Sequence, residues 1–185
     1  MLKKLIIPFF FVINSAHAAF MINTMTGYSS SADSKTSTDI SDVTNHIFIG
    51  ASLGAKQRLF VGQNVTIFTH QIKTTTTDKL NTMELGPRLT YFFDDGNVFY
   101  GTLGWNPYAK GKRTIAGVTE DISGFGLLAG LGAEVKINRN FHIGGSINYK
   151  SLSISESVSA ANVATKESST YTSLMPMINL SFRFR

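Results

Sequence analysis

Residues 121–149, DISGFGLLAGLGAEVKINRNFHIGGSINY, decide how this chain is read. The first half alternates strictly. Phe125, Leu127, Ala129, Leu131, Ala133, Val135 and Ile137 share one face, and Gly124, Gly126, Leu128, Gly130, Gly132, Glu134 and Lys136 share the other. A period of two held over more than a dozen residues is a long β-strand, because successive side chains point to opposite sides of the sheet. Asn138-Arg139-Asn140 turns the chain, and Phe141, Ile143, Ile147 and Tyr149 resume an apolar face. The stretch is a long hairpin with one apolar face and one small or polar face.

Working outward, the same pattern recurs along the chain. Phe20, Ile22, Thr24, Thr26 and Tyr28 alternate with Met21, Asn23, Met25 and Gly27. Ile47, Ile49, Ala51 and Leu53 form a second apolar face, Val61, Val65 and Ile67 a third, and Met83, Leu85, Leu89, Tyr91 and Phe93 a fourth. Asp94-Asp95-Gly96-Asn97 is a turn signal, since Asp, Gly and Asn tolerate the backbone angles of tight hairpins. Phe99, Leu103, Trp105 and Ala109 follow it, and Leu174, Ile178, Leu180, Phe182 and Phe184 close the chain. The spacing predicts eight strands of about ten residues. Short turns at 55–58, 94–97 and 138–140 alternate with longer polar loops at 31–43, 73–80, 111–120 and 153–169. No mature stretch has a helical period. The fold class is therefore all-β, an eight-stranded antiparallel up-and-down barrel with both chain ends on the short-turn side. Prolines 87, 107 and 176 each forfeit a ladder hydrogen bond, so bulges are expected there.

Composition bounds the rest. The 185 residues suffice for one domain. There are no cysteines, which removes disulfides, thiolate metal sites and a lipoprotein anchor. Charged residues make up only 16%, alongside 16 Gly and 14 Phe. Residues 1–18 read as a cleaved signal peptide: Lys3 and Lys4, then an apolar core over 5–13, then Ala16-His17-Ala18 at the cleavage site. That core is too short to span a bilayer, which takes about 20 apolar residues. Residues 19–185 form the barrel domain. Without the two leader lysines the net charge drops from +5 to +3, with no basic stripe that would favour nucleic acid.

Alternation alone does not say whether the apolar face meets a core or lipid; a soluble ligand-binding barrel has the same period. Three features put lipid outside and make the barrel transmembrane. The other face is poor in charge and rich in Gly, Asn, Ser and Thr, unlike a water-exposed surface. The strands have the length a membrane barrel needs. Aromatic residues collect near the strand ends on the apolar face: Tyr91, Phe93, Phe99, Phe141, Phe182 and Phe184 near the short turns, with Trp105 and Tyr28 assigned to the opposite rim.

With these features the chain resembles the small outer-membrane β-barrels of Gram-negative bacteria, the OmpX/Ail-type proteins and the OmpA membrane domain. The resemblance rests on the leader, the eight strands and the closing stretch LMPMINLSFRF. It implies residence in the outer membrane, contact with its lipid and lipopolysaccharide, and a signal read by the barrel-insertion machinery, a partner, that maps onto Leu180, Phe182 and Phe184. The chain departs from that pattern by ending on Arg185.

The remaining question is chemistry. Parity places Glu84, Arg88, Glu134, Lys136, Lys150 and Arg183 in the lumen, with His70, His142 and Asn148. Eight strands leave an interior that side chains just fill, so these groups are expected to form a packed polar network of paired charges. Glu84 and Arg88 stand four residues apart, too far along a strand for an ideal direct pair. A narrow gated pore is the porin-like alternative. A lipid A-modifying enzyme is another, built from His46 or His70 with Asp39 or Asp42 and one of many serines; His142 and Ser146 begin near the short-turn side, away from the outer leaflet. No ligand spacing points to a metal, and no cofactor is expected. The preferred expectation is a non-enzymatic, monomeric surface or structural protein whose polar loops meet an extracellular partner.

Overall fold

The computed structural model describes residues 18–33, 38–54, 56–159 and 161–184; the expected signal peptide, apart from Ala18, and Arg185 lie outside them. Eight strands follow one another: β1 (Phe20–Asp33), β2 (Thr38–Leu53), β3 (Leu59–Lys73), β4 (Thr77–Phe92), β5 (Phe99–Ile115), β6 (Val118–Lys136), β7 (Phe141–Val158) and β8 (Ala164–Phe184). Each pairs antiparallel with the next, and β1 pairs with β8 to close the ring. The meander read from the alternation is the observed topology.

The strands outrun the sequence reading. The segments taken as loops at 31–43, 73–80, 111–120 and 153–169 are mostly strand, continued as ladders such as Asp33↔Thr38, Lys73↔Thr77, Ile115↔Val118 and Val158↔Ala164. Alternation fades there because the outward face is polar and the inward face mixes polar groups with scattered apolar residues such as Leu80 and Ile154, so the period leaves little trace in hydrophobicity. The β5–β6 connection is a two-residue hairpin. Ala116 and Gly117 both have positive φ, 49° and 82°, as the turns that match strand twist require. The opposite end behaves as its sequence predicts. The Asp94 carboxylate accepts from the Val98 and Phe99 amides at 2.9 and 2.7 Å. The Asn138 side chain accepts from Asn140 and Phe141.

Pro87 and Pro107 lie at register shifts, in the β4–β5 and β5–β6 ladders. Pro176 does not: it sits in regular register opposite Ile147. Its effect is on the other neighbour. The β1–β8 ladder runs from Phe20↔Phe184 to Gly27↔Met177 and ends beside Pro176, eight pairs against fourteen between β1 and β2. Pro lacks the N–H that pairing would need, so the ladder stops where it stands.

The apolar faces point outward. Leu103, Leu131, Ile147 and Ile178 are each more than 60% exposed. On every strand the outward residues change from apolar or aromatic to polar at one step: Tyr28 to Ser30, Val43 to Ser41, Ile67 to Thr69, Met83 to Asn81, Tyr108 to Lys110, Phe125 to Ser123, Tyr149 to Ser151 and Leu174 to Thr172. From Phe184 to Leu174, at ~3.4 Å per residue and a tilt of ~40°, the chain rises about 26 Å. That matches the ~25 Å apolar belt of a transmembrane barrel. Thr26 and Asn45, polar but outward, hydrogen-bond each other at 2.9 Å. Above the belt the strands continue as a polar crown. Tyr91, Phe93 and Phe99 point outward at the short-turn rim, where Tyr91 and Phe93 meet edge to face at 5.7 Å. Phe141 packs on Phe182 at 4.9 Å. Trp105 points outward one step below Tyr108, on the crown side as expected.

Candidate functional site

The lumen is built in layers, with two apolar clusters and buried polar groups between them and at the short-turn end. Near the short turns Met21, Phe48, Phe60, Phe92 and Tyr100 form an apolar cluster. Toward the crown Phe68, Leu80, Ala109, Ile122, Leu152 and Ile154 form a second, with Tyr171 against it. The expectation of a polar lumen throughout is corrected: inward positions of β2, β3, β4 and β7 carry large apolar residues at these two levels. Scattered apolar residues on an otherwise polar face leave its alternation looking polar.

The buried charges find partners, Glu84 and Lys150 between the plugs and Glu134 and Arg183 at the short-turn end. Lys150 Nζ lies 2.5 Å from Glu84 Oε1, and Asn106 donates to Glu84 Oε2 at 3.2 Å. Arg183 pairs with Glu134, which also accepts from the Ser181 hydroxyl at 2.7 Å. Arg88 is held by oxygens without charge: its Nε donates to Thr102 at 2.7 Å and its Nη2 to Asn23 at 3.1 Å. Glu84 and Arg88 thus serve separate partners, as their spacing predicts. Each lumen cation also rests on a plug aromatic: Arg88 on Phe48 at 4.9 Å, Lys150 on Phe68 at 4.3 Å and Arg183 on Phe92 at 4.2 Å. A ring face offers negative potential to a cation without adding a carboxylate, so the rings join the polar layer to the plugs. Lys136 does not belong to the network. It is exposed at the short-turn end of β6; parity points it inward, but the barrel interior has ended by that level.

The glycines explain how so much fits. A Cβ on Gly126 would lie 1.9 Å from Glu84 Oε2, and one on Gly130 would lie 2.0 Å from Asn148 Oδ1. The glycine face of β6 is the floor on which the opposite side chains lie.

The residues weighed for an enzyme are only partly brought together. His70 Nδ1 is 2.6 Å from Asp42 Oδ1 near the crown-side mouth, and the ring stacks on Phe68 and meets Tyr171 edge to face. Asp39 faces outward, across the ladder from Lys73. His46 is buried in the middle layer and hydrogen-bonded to Thr66 at 2.7 Å. Ser146 donates to Asn179 at 3.1 Å. Among the described residues no serine hydroxyl is hydrogen-bonded to His46 or His70, and no group of three or more His, Asp or Glu is placed to hold a metal ion.

A cluster that sequence reasoning missed closes the mouth. Arg113 donates both terminal nitrogens to Glu167, at 2.5 and 2.8 Å, and its Nε to Glu120 at 2.7 Å. The bidentate bond to Glu167 holds the Arg113 pKa above its ordinary value, and Arg113 in turn holds the Glu167 carboxyl below the usual carboxylate range. The three residues were hidden in segments read as loops. The available signal was the Ala116-Gly117 dipeptide between β-branched pairs, which sets Arg113 opposite Glu120.

The comparison with known families settles where such a barrel resides. The outer membrane protein beta-barrel domain family matches residues 7–181. The chain belongs to that family. Its eight-stranded barrel therefore crosses the outer membrane, with the crown at the end opposite the short turns and chain ends. Among solved structures it is similar to Neisserial surface protein A, with a TM-score of 0.54 at 14% identity, covering 90% of this chain and 97% of that one. The beta domain of the Bordetella autotransporter BrkA matches with a TM-score of 0.43 at 10% identity, over 91% and 99%. At such identities the likeness is one of fold. No curated protein matches the chain. Leu180, Phe182 and Phe184, the expected insertion signal, point outward on β8 opposite Thr24, Ile22 and Phe20, at the junction that closes the ring.

Proposed function

We propose that the chain is a non-enzymatic surface barrel, working as a monomer, which stabilises the outer membrane and presents its crown to an extracellular partner. The observation behind this reading is the sealed lumen. Two apolar plugs and matched charges fill the interior, while polar strand ends stand clear of the belt. Loops and hairpins on a rigid scaffold are the usual place for recognition.

The test compares cells with and without the protein, and cells carrying a form whose β7–β8 hairpin is trimmed to the belt. The expected result is an unchanged lipid A acyl pattern by mass spectrometry. Attachment to surfaces or resistance to detergent should fall on deletion, and attachment also on trimming. A changed acyl pattern would overturn the reading and favour a lipid A hydrolase or acyltransferase. The oriented Asp42–His70 pair is the one observation that supports that second reading.

A further inference from the structure

The outward face is not uniform around the barrel. Above the belt, β3, β4 and β5 carry four exposed lysines: Lys110 at the first outward position, Lys79 and Lys112 at the second and Lys73 at the third. The ladders pair Gln71 with Lys79, Lys79 with Thr114 and Asn81 with Lys112. Each lysine is therefore the diagonal or same-strand neighbour of the next, in steps of about 7 Å. Among the described residues none of the four forms an ion pair. The nearest outward carboxylates, Asp39 and Asp121, stand across the ladders from Lys73 and Lys112 at the two ends of the row. On β6, β7 and β8 the first two outward positions above the belt hold no cation: Ser123 and Asp121, Ser151 and Ser153, and Thr172 and Thr170.

Directly below this row the apolar wall is furrowed. Pro87, Leu89, Leu103, Trp105, Leu127 and Tyr149 border a groove of about 570 Å³. It continues toward the short turns past Gly101, Ala129 and Phe93, in a second section of about 620 Å³. Small outward residues on β5 and β6 leave the trough between larger neighbours. Lys110 joins the two features, its Nζ lying 5.5 Å from the centre of the Tyr108 ring at the belt's edge.

We infer that this face is a binding site for one phosphorylated glycolipid of the outer leaflet, the phosphates held by Lys79, Lys110 and Lys112 and an acyl chain lying in the furrow. Free ammonium groups at headgroup level attract anionic lipid, and a trough adds contact for a chain that must lie against the wall in any case. The inference rests on the outer-membrane reading above and names one lipid partner within it.

The experiment is native mass spectrometry of the purified full-length barrel, released from detergent with bisphosphorylated lipid A, with its dephosphorylated form, or with phosphatidylglycerol. Wild type should retain bisphosphorylated lipid A in preference to both others. The Lys79→Gln/Lys110→Gln/Lys112→Gln variant should lose that retention on the order of 100-fold, three cations each at the strength seen near an anionic surface. Lys166→Gln, on β8, should lose none. Equal retention by the triple variant or of the dephosphorylated lipid overturns the site, and equal retention of phosphatidylglycerol reduces it to a general anionic attraction. A heat-sensitive shift in gel mobility reports folding separately. A wild-type chain that never folds into lipid defeats the membrane reading, whereas a folded barrel without phosphate preference defeats only the lipid site.

Discussion

Glu134 and Arg183 show what a single lumen residue is worth. Both are almost wholly buried, and each leaves an uncompensated charge if the other is removed. Glu134→Leu is expected to cost about 3–5 kcal/mol, and Glu134→Leu with Arg183→Met should recover most of it, because a buried ion pair is often no better than an apolar pair of its size. Urea unfolding in lipid vesicles, followed through Trp105, the sole tryptophan, would measure both. Gly126→Ala tests the floor of the lumen: the new methyl meets the Glu84 carboxylate, so a loss of about 1–3 kcal/mol is expected by the same assay. An unchanged stability would mean that the lumen has room to spare. At this scale the sequence showed which residues turn inward, because parity is local. It did not show which would meet. Glu84 with Lys150 and Arg88 with Asn23 join strands far apart in sequence, and such partners follow from ring closure and stagger. Lys136 was misassigned for a related reason: parity gives a direction but not the level at which the interior stops.

At the scale of strands and hairpins, the apolar belt was legible and the crown was not. Within the belt one face meets lipid and the other a filled lumen, so composition alternates. In the crown the outward face is polar and the inward face mixes apolar with charged groups, so the same backbone pairing leaves little signal, which is how Arg113, Glu120 and Glu167 escaped notice. The belt predicts that Leu127→Arg costs about 2–4 kcal/mol in a bilayer, where an outward arginine meets hydrocarbon. A negligible loss in vesicle unfolding would contradict the assigned face. The crown has its own pH dependence. The Glu167 pKa is depressed in the folded state, so its contribution is present above the ordinary glutamate value of about 4.3 and is lost as pH falls through the lower folded value. Amide exchange in the β7–β8 hairpin should quicken in acid below that range while the belt stays protected. Glu167→Gln should show the quicker exchange already at neutral pH.

For the whole molecule, strand number, order and orientation followed from counting turns and alternating faces, and closure followed because an open eight-stranded sheet would leave two bare edges. A filled lumen followed from the strand number; the two apolar plugs did not, since each depends on inward side chains from several strands reaching the same level. Sealing predicts no stable single-channel current in planar bilayers for the wild type. Phe60→Ala with Phe92→Ala removes two rings from the inner plug but leaves the outer one, so this variant too should stay silent. Current through either would reinstate a pore.

The short β1–β8 ladder also bears on how the ring forms. It joins the first strand to the last, across nearly the whole length of the chain, with the fewest paired residues of any ladder whose register is regular throughout. Every other ladder links sequence neighbours and can form as a hairpin as soon as its two strands are available. Bringing the two ends together carries the largest loop-closure entropy, and its return is limited to eight residue pairs. Assembly should therefore finish at this junction and disassembly begin there, from the crown downward past Gly27 and Met177. The wall's weakest line is set by one proline at position 176.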